Sequence, residues 1–405
     1  MIELEEIQRH LAATSVDGWL LYDFQGINPV AARVAGLGEK MLTRRWFCLI
    51  PRQGNPEWLV NQIERQQFAD VEGVVRTFST WQQLVSGLSS LLQGRSRVAM
   101  EYSPGGTIPY VSRVDAGTLE IVRNTGCAVV SSADLVQWCE ARLSASALAT
   151  HLYAAKHLET AKEAAFEFIF RQMEAGKRIS EYDIQQEIIR YFDLHGLVTS
   201  SPPIVAAAQN TSDPHYQPTS SRAKLLEEGD LVLVDLWAKT RDPGAVYADI
   251  TWMAHVSDSV PDELARVFAA AVRARDAAID FLKRSVARGD IVLGYEVDDV
   301  ARGSVTKDGY GDRFIHRTGH NIGTEDHGRG VNFDNYETHD DRRVIPNITC
   351  SIEPGLYFGF FGMRTEVNVH IGARSVEVST VPMQRQIVPL QRHFLREATS
   401  PSEGL

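Results

Sequence analysis

The sequence predicts an α+β protein in two parts: a smaller N-terminal α/β domain over residues 1–145 and a larger C-terminal domain over 146–405. Three observations predict it. Short apolar runs alternate with helical patterns over the first part, as in a layered α/β unit. Near Ser144 the texture changes to long, alanine-rich helical stretches. Beyond these come apolar strands with single carboxylates set inside them or at their ends.

Taken in order, Glu3 to Ala13 reads as an amphipathic helix. Trp19–Tyr22, Trp46–Ile50, Trp58–Val60 and Val98–Met100 read as strands, the third after an Asn55-Pro56 turn and the last after a helix over Trp81–Leu92. No ligand cluster occurs here, so this part reads as structural or regulatory. Ala147 to Ala175 reads as one long helix ended by Gly176, and Ser180 opens a helix over Glu181–His195 through a capping-box-like S-E-Y-D. From Pro261 the plan repeats, with a long helix to Arg288, a break at Gly289-Asp290 and a helix over Tyr295–Val305. Two helix pairs, each associated with strands, suggest an internal pseudo-duplication. The tail from Ala398 to Leu405 is expected to fray.

Composition narrows the function classes. Hydrophobic residues make up 44% and charged residues 23%, enough apolar material for a buried core. The net charge of -11 argues against a nucleic-acid surface. Cys48, Cys127, Cys139 and Cys350 are scattered, with no metal-like spacing, and read as reduced thiols of a cytoplasmic protein. The acidic start MIELEEIQRHLAA lacks the basic and apolar stretches of a secretory signal. No apolar run approaches the ~20 residues that cross a bilayer. Neither nucleic acid nor membrane is an expected partner.

The chemistry concentrates between His215 and Glu366. In the apolar strand Leu231–Trp237, side-chain alternation puts Leu233, Asp235 and Trp237 on one face. Val246–Met253 is a second strand, with Asp249 inside it. Ile352-Glu353-Pro-Gly places Glu353 at a strand end, and Met363–His370 reads as a strand with Arg364, Glu366, Asn368 and His370 on one face. One such acid alone is an ordinary salt-bridged residue. Four together, each costly to bury unpaired, call for a common explanation. Thr318-Gly319-His320-Asn321 adds an imidazole in a glycine-flanked segment, with His316 and His327 nearby. Four carboxylates and a neutral imidazole carry a charge that two divalent cations balance, whereas one would leave a buried surplus. Oxygen-rich ligands with one nitrogen suit manganese, zinc, cobalt or iron.

These residues resemble a known family. Asp235, Asp249, His320, Glu353 and Glu366, in that order, are similar to the five ligands of the pita-bread metallopeptidases, which include methionine aminopeptidase, aminopeptidase P and prolidase. The strings His316-Arg-Thr-Gly-His320 followed by His327, Ser351-Ile-Glu353-Pro-Gly-Leu-Tyr, Met363-Arg364-Thr-Glu366, Ser201-Pro-Pro-Ile-Val and Asp213-Pro-His215-Tyr resemble the proline-specific branch. The likeness covers residues 145–390, and the N-terminal part resembles the small domain of aminopeptidase P, prolidase and creatinase.

The resemblance implies a pita-bread (creatinase/aminopeptidase-like) catalytic domain and hydrolysis of the Xaa-Pro bond by a hydroxide shared between two divalent ions. Manganese is the expected metal, with zinc or cobalt as alternatives. Asp235 would hold one ion, Asp249 and Glu366 would bridge both, and His320 and Glu353 would complete the second. His215 and His327 would flank the scissile bond, while His316 and Arg364 would shape the proline side. The expected substrates are Xaa-Pro dipeptides, with longer Xaa-Pro peptides as the alternative, and the expected assembly is a homodimer. A creatinase-like hydrolase and a binding scaffold are disfavoured, since all five ligands are present.

Departures from the pattern are Leu236-Trp237 after the first Asp, Asn321 after His320, Gly328 after His327, and a wider spacing between Asp235 and Asp249. Asp242 is a rival second ligand but precedes a Pro-Gly turn, and Asp249 is preferred. The segment that takes up the wider spacing, Lys239 to Ala245, carries Lys239 and Arg241, which are expected to read the carboxylate of a dipeptide.

Overall fold

The structure, a computed structural model, describes residues 4–38 and 40–391. Glu3 of the first predicted helix and the tail at 398–405 lie outside these residues. The chain divides into two compact units, Met1–Glu140 and Ala141–Leu405.

The first unit runs α1 (Leu4–Ala12), β1 (Gly18–Asp23), α2 (Pro29–Val34), β2 (Trp46–Pro51), β3 (Glu57–Asn61), β4 (Val74–Phe78), α3 (Trp81–Leu91), β5 (Arg97–Met100), α4 (Ala116–Arg123), β6 (Ala128–Ser131) and α5 (Ala133–Glu140). Its strands form one mixed sheet in the order β4-β3-β2-β1-β5-β6. Successive residues point to opposite faces. Trp19, Leu21 and Trp46 pack with Ile7, Val30 and Val136 on one side, and Leu20, Tyr22 and Phe47 with Leu84, Leu88 and Val122 on the other. Helices cover both faces, so β1 and β2 are apolar and buried throughout rather than alternating with polar residues. Glu101, just after β5, is wholly buried and accepts hydrogen bonds from Trp19 Nε1 (2.6 Å), Asn28 Nδ2 (2.7 Å) and Ser132 Oγ (2.9 Å).

The second unit begins with α6 (Ala145–Glu174), α7 (Glu181–Leu194), β7 (Leu197–Val198), β8 (Ile204–Ala207), β9 (Leu231–Thr240) and β10 (Ala248–His255). It continues with α8 (Asp262–Arg288), α9 (Gly294–Lys307), β11 (Asn321–Ile322), β12 (Ile348–Ile352), β13 (Gly355–Tyr357), β14 (Gly362–Arg364), β15 (Val367–Ile371), β16 (Val376–Val378) and β17 (Val388–Pro389). Ser180 and Asp183 cap α7 reciprocally, as the S-E-Y-D string predicts. One sheet has the order β17-β10-β9-β7, with β8 also on β9; a second has the order β11-β12-β15-β16; β13 and β14 form a separate hairpin.

The two faces of β9 and β10 differ in kind. Val232, Val234, Leu236, Ile250 and Trp252 pack against Leu158, Phe166 and Ile188 of the α6–α7 pair. Leu231, Leu233, Trp237 and Met253 join the α8–α9 core, which also takes Cys350, Ile352 and Val369 of the second sheet. Asp235 and Asp249 lie on this second face. In the antiparallel register Asp235 stands opposite Thr251, and Asp249 opposite Trp237.

One predicted strand is corrected. Met363–His370 is not continuous: β14 pairs with β13, whereas β15 pairs with β12. The chain changes sheets at Thr365-Glu366, where Glu366 N turns to Thr251 O of β10 (3.3 Å). Apolar alternation carries on through the change, which is why the sequence reads as one strand.

Candidate metal centre

Glu353 follows the last residue of β12 and Glu366 precedes the first of β15, so the pair Ile352–Val367 sets them side by side at one end of the second sheet. His320 immediately precedes β11. It is pinned to β12 by bonds from its N–H to Ser351 Oγ (2.9 Å) and from Ser351 N–H to its carbonyl (2.8 Å). This close approach requires Gly319, where a Cβ would sit 2.0 Å from Ser351 O. His320 Nε2 lies 3.6 Å from Asp249 Oδ2 and 3.4 Å from Glu353 Oε1. Its Nδ1 faces its neighbour's carbonyl, Asn321 O, at 3.2 Å. That carbonyl can only accept, so Nδ1 carries the proton and Nε2 offers a lone pair to the acids.

The acids are held from behind. Arg364 donates to Asp235 through Nη2, to Thr251 Oγ1 through Nε (3.0 Å) and to Tyr357 OH through Nη1 (3.1 Å). Thr251 Oγ1 donates in turn to Glu366 Oε2 (2.8 Å), and Ser351 Oγ to Glu353 Oε1 (3.0 Å). His316 Nδ1 donates to Arg317 O (2.8 Å), which leaves its Nε2 to accept from Tyr357 OH (3.1 Å). Helix α9 supports the segment before His320. Its buried Asp298 accepts from Thr318 N (3.0 Å) and Oγ1 (2.6 Å), while Arg302, paired with Asp298, donates to Phe314 O (2.8 Å) and His316 O (2.9 Å).

Electrostatics mark the cluster as incomplete in its protein partners. Burial, reinforced by Glu366 and other acids nearby, pushes the Asp249 carboxyl well above its ordinary range; burial and the Glu353 and Asp235 charges do the same to Glu366. Burial raises Asp235 and takes Glu353 up to about 7, each against the Arg364 charge. Burial and the neighbouring His327 hold His320 well below the usual imidazole range. Asp235 Oδ1, Asp249 Oδ1 and Glu366 Oε1 are sealed from solvent with no hydrogen-bond donor. Unpaired anionic oxygens in an interior cost several kcal/mol. Divalent cations remove that cost, and the ligand atoms of Asp249, His320 and Glu366, within 4.8 Å of one another, are a donor set that fits them.

The cluster lines a cavity of about 720 Å³. Asp235, Asp249, His320, Glu353, Glu366 and Arg364 all reach it, and so do His215 and His327, both exposed there. His327 stacks edge-on to His320, with centroids 4.3 Å apart. Asp242 lies on the exposed turn, and it is Asp249 that meets His320. Three sequence expectations need correction. His316 does not line the cavity but acts on it through Tyr357 and Arg364. Lys239 and Arg241 do not line it either. Lys239 Nζ donates to Thr324 O (2.6 Å) and lies over the Tyr247 ring, and Arg241 faces Asp193 at 3.8 Å. The loop itself is tied down by Thr150 Oγ1 on Val246 N, His151 Nδ1 on Tyr247 O, and Tyr247 N on Gly323 O.

Sequence reasoning missed four contributors. Thr251 could have been found, since it follows Asp249 at the two-residue period that shares a face. Asp298 and Arg302 carry only an i,i+4 helical spacing. Asp326, next to His327, reads as a loop acid, yet it lines the cavity with Oδ1 sealed and unbonded.

The model of metallopeptidase family M24 matches residues 153–373, more than half of the chain. The chain belongs to metallopeptidase family M24. Among curated M24-like relatives it is 34% identical over 169 residues to a Xaa-Pro dipeptidase of Lactobacillus delbrueckii subsp. lactis, covering 42% of this chain and 41% of that protein. It is 29% identical over 214 residues to a probable dipeptidase PepE of Mycobacterium tuberculosis, covering 52% of each. The chain thus spans between two fifths and about half of these relatives' length. Solved structures match over nearly the whole chain. Dipeptidase PepE from Mycobacterium ulcerans matches with a TM-score of 0.68 at 21% identity, covering 95% of this chain and 97% of that one. The prolidase from Pyrococcus horikoshii matches with a TM-score of 0.61 at 19% identity, covering 95% and 99%. The fold is the two-domain pita-bread arrangement of M24 proteins. Among the described residues, no helix is long and apolar enough to cross a membrane.

Proposed function

We propose that this M24 protein hydrolyses the Xaa-Pro bond of short peptides with two divalent metal ions. The observation that carries this reading is the group of ligand atoms that Asp249, His320 and Glu366 bring within 4.8 Å of one another, in a cavity where Asp235, Asp249 and Glu366 each keep a sealed, unbonded oxygen. Asp235 would hold one ion, Asp249 and Glu366 would be shared, and His320 and Glu353 would complete the second site. Bound as a pair, such ions lower the pKa of a water toward neutrality and polarise a carbonyl. The protein's own contribution is positional. Arg364 and Thr251 fix the carboxylates, Ser351 fixes His320 and Glu353, and His215 and His327 stand at the cavity wall where a proton must leave the nucleophile and reach the departing proline nitrogen.

Proline specificity and a preference for dipeptides draw on the relatives named Xaa-Pro dipeptidase. One observation favours a second reading, cleavage of longer Xaa-Pro peptides. Among the described residues lining the cavity, Arg364 is the single Lys or Arg, and it is engaged with Asp235. No guanidinium or ammonium is left within this chain's cavity to grip a dipeptide carboxylate. The deciding assay compares a Xaa-Pro dipeptide with a Xaa-Pro-containing pentapeptide, with and without added manganese. The reading requires metal-dependent cleavage of at least one. A fully metal-loaded protein that cleaves neither would sink it.

A further inference from the structure

Asp326 is not used by the metal centre as described, and its surroundings point to a substrate cation. Its carboxylate and the ligand atoms of His320 and His327 lie within 4.8 Å of one another, a group that shares His320 with the Asp249–His320–Glu366 cluster and adds none of its acids. Oδ1 is shut off from solvent and receives no hydrogen bond. The adjacent Glu325 is taken by Arg329 Nη2 at 3.0 and 3.2 Å, and the Arg317 charge faces Asp326 without donating to Oδ1. An anionic oxygen placed this way in a cavity wall is costly unless something brings it a donor. A peptide cleaved after its first residue carries its α-ammonium two bonds from the scissile carbonyl. The counter-charge for that ammonium must therefore lie within a few Å of the metal ligands, which is where Asp326 stands.

We infer that Asp326 is a specificity-determining residue that binds an ammonium on the substrate residue preceding the scissile bond. The ammonium is either the α-amine or the side-chain amine of a lysine. The inference rests on the Xaa-Pro reading for its substrates but not for its test of binding.

The test compares metal-loaded wild type with Asp326→Asn and the charge-conserving Asp326→Glu, using Ala-Pro, norleucyl-Pro and Lys-Pro as substrates and propionyl-proline, which lacks the amine, as an inhibitor. Asp326→Asn should lower kcat/KM at least tenfold, with metal content unchanged and Asp326→Glu recovering part of the loss. An equal loss on all three substrates, with propionyl-proline binding unaltered, assigns the α-ammonium. A loss confined to Lys-Pro assigns the side-chain ammonium. Unchanged kinetics, a fall in metal content, or an equal weakening of propionyl-proline would each overturn the inference. Calorimetric binding of alaninamide needs neither proline nor turnover. A wild type inert toward every Xaa-Pro peptide, whose alaninamide affinity still drops tenfold in Asp326→Asn, would refute the Xaa-Pro reading and keep this one. The same inert protein with equal affinity in both forms for alaninamide and for lysinamide, which carries both amines, would end both.

Discussion

Glu101 in the first unit and Glu366 in the second are both buried glutamates at the end of a strand, and they differ in what their oxygens meet. Glu101 accepts from Trp19, Asn28 and Ser132, with both oxygens engaged. Glu366 accepts from Thr251 on one oxygen and leaves the other sealed and bare, beside Asp235 and Asp249 in the same condition. Burial raises both carboxyls above their ordinary range. A perturbed buried acid is therefore not in itself a site. The distinguishing mark is an oxygen that the protein folds around and does not satisfy, repeated on several strands that converge on one imidazole.

The sharpest way to break this contrast is to neutralise each glutamate in turn. Glu366→Gln should lower kcat at least about a thousandfold and reduce bound metal from about two ions per chain toward one, because an amide cannot supply a shared anionic ligand. Glu101→Gln should leave metal content and turnover near wild type and show itself only in thermal stability. Elemental analysis alongside initial rates reads both. Full activity in Glu366→Gln, or metal loss in Glu101→Gln, would erase the distinction.

His327 tests where the ligand set ends. It stacks on His320, yet its side chain is 62% exposed and it makes no close bond to the acids of the centre. His327→Ala should reduce kcat by ~10²–10⁴-fold, the range for a positioned proton-transfer group, while metal content stays constant. Metal loss in proportion to activity would move His327 into the ligand set.

A smaller effect separates the two regions by pH. In the metal-free protein burial pushes the Glu353 carboxyl up to about 7, and burial with the neighbouring acids raises Asp249 and Glu366 well above their own ordinary values. Above the unfolded pKa the folded state holds protons that the unfolded chain has released. Stability contributed by Glu353 is then present below pH ~4.5 and declines as pH rises to about 7, by roughly 3 kcal/mol. Metal binding replaces those protons. The gain in Tm on adding manganese should thus grow between pH 5 and 7.5, whereas the decline owed to Glu101 persists with metal present. A metal-induced gain that is flat or shrinking over that range contradicts the assignment.

What the sequence disclosed follows the same line. Period-two alternation was enough to put Asp235 on one face with Leu233 and Trp237, but that Asp249 shares this face on the adjacent strand follows from the antiparallel register; Gly319 marked the close approach beside His320. Alternation could not show that residues 363–370 cross from one sheet to another, because side-chain parity continues through the change. Nor could it show that His316 reaches the centre only through Tyr357 and Arg364, since that relay joins residues far apart in sequence. Glu101 was passed over because nothing local distinguishes a satisfied buried acid from a surface one. Asp326 was passed over for a related reason, since a loop acid beside a histidine is ordinarily solvated.

The loop between the two ligand strands provides the finest test. Its cations looked suited to a substrate carboxylate while only their proximity to Asp235 and Asp249 along the chain was known. In the structure Lys239 spends its ammonium on Thr324 O and the Tyr247 ring, and Arg241 faces Asp193 with both side chains mostly exposed. Exposed pairs of this kind are worth ~0–1 kcal/mol. The carbonyl of Thr324 lies two residues before Asp326, so losing Lys239 slackens that segment rather than removing a substrate contact. Replacing Lys239 and Arg241 together with alanine should therefore change KM less than about threefold, and by the same factor for a Xaa-Pro dipeptide and its amide. A tenfold rise confined to the free dipeptide would show that the loop swings into the cavity when substrate binds, and would return carboxylate recognition to these two residues. An equal small effect leaves that recognition outside this chain's own cavity, and makes cleavage of longer peptides the better reading.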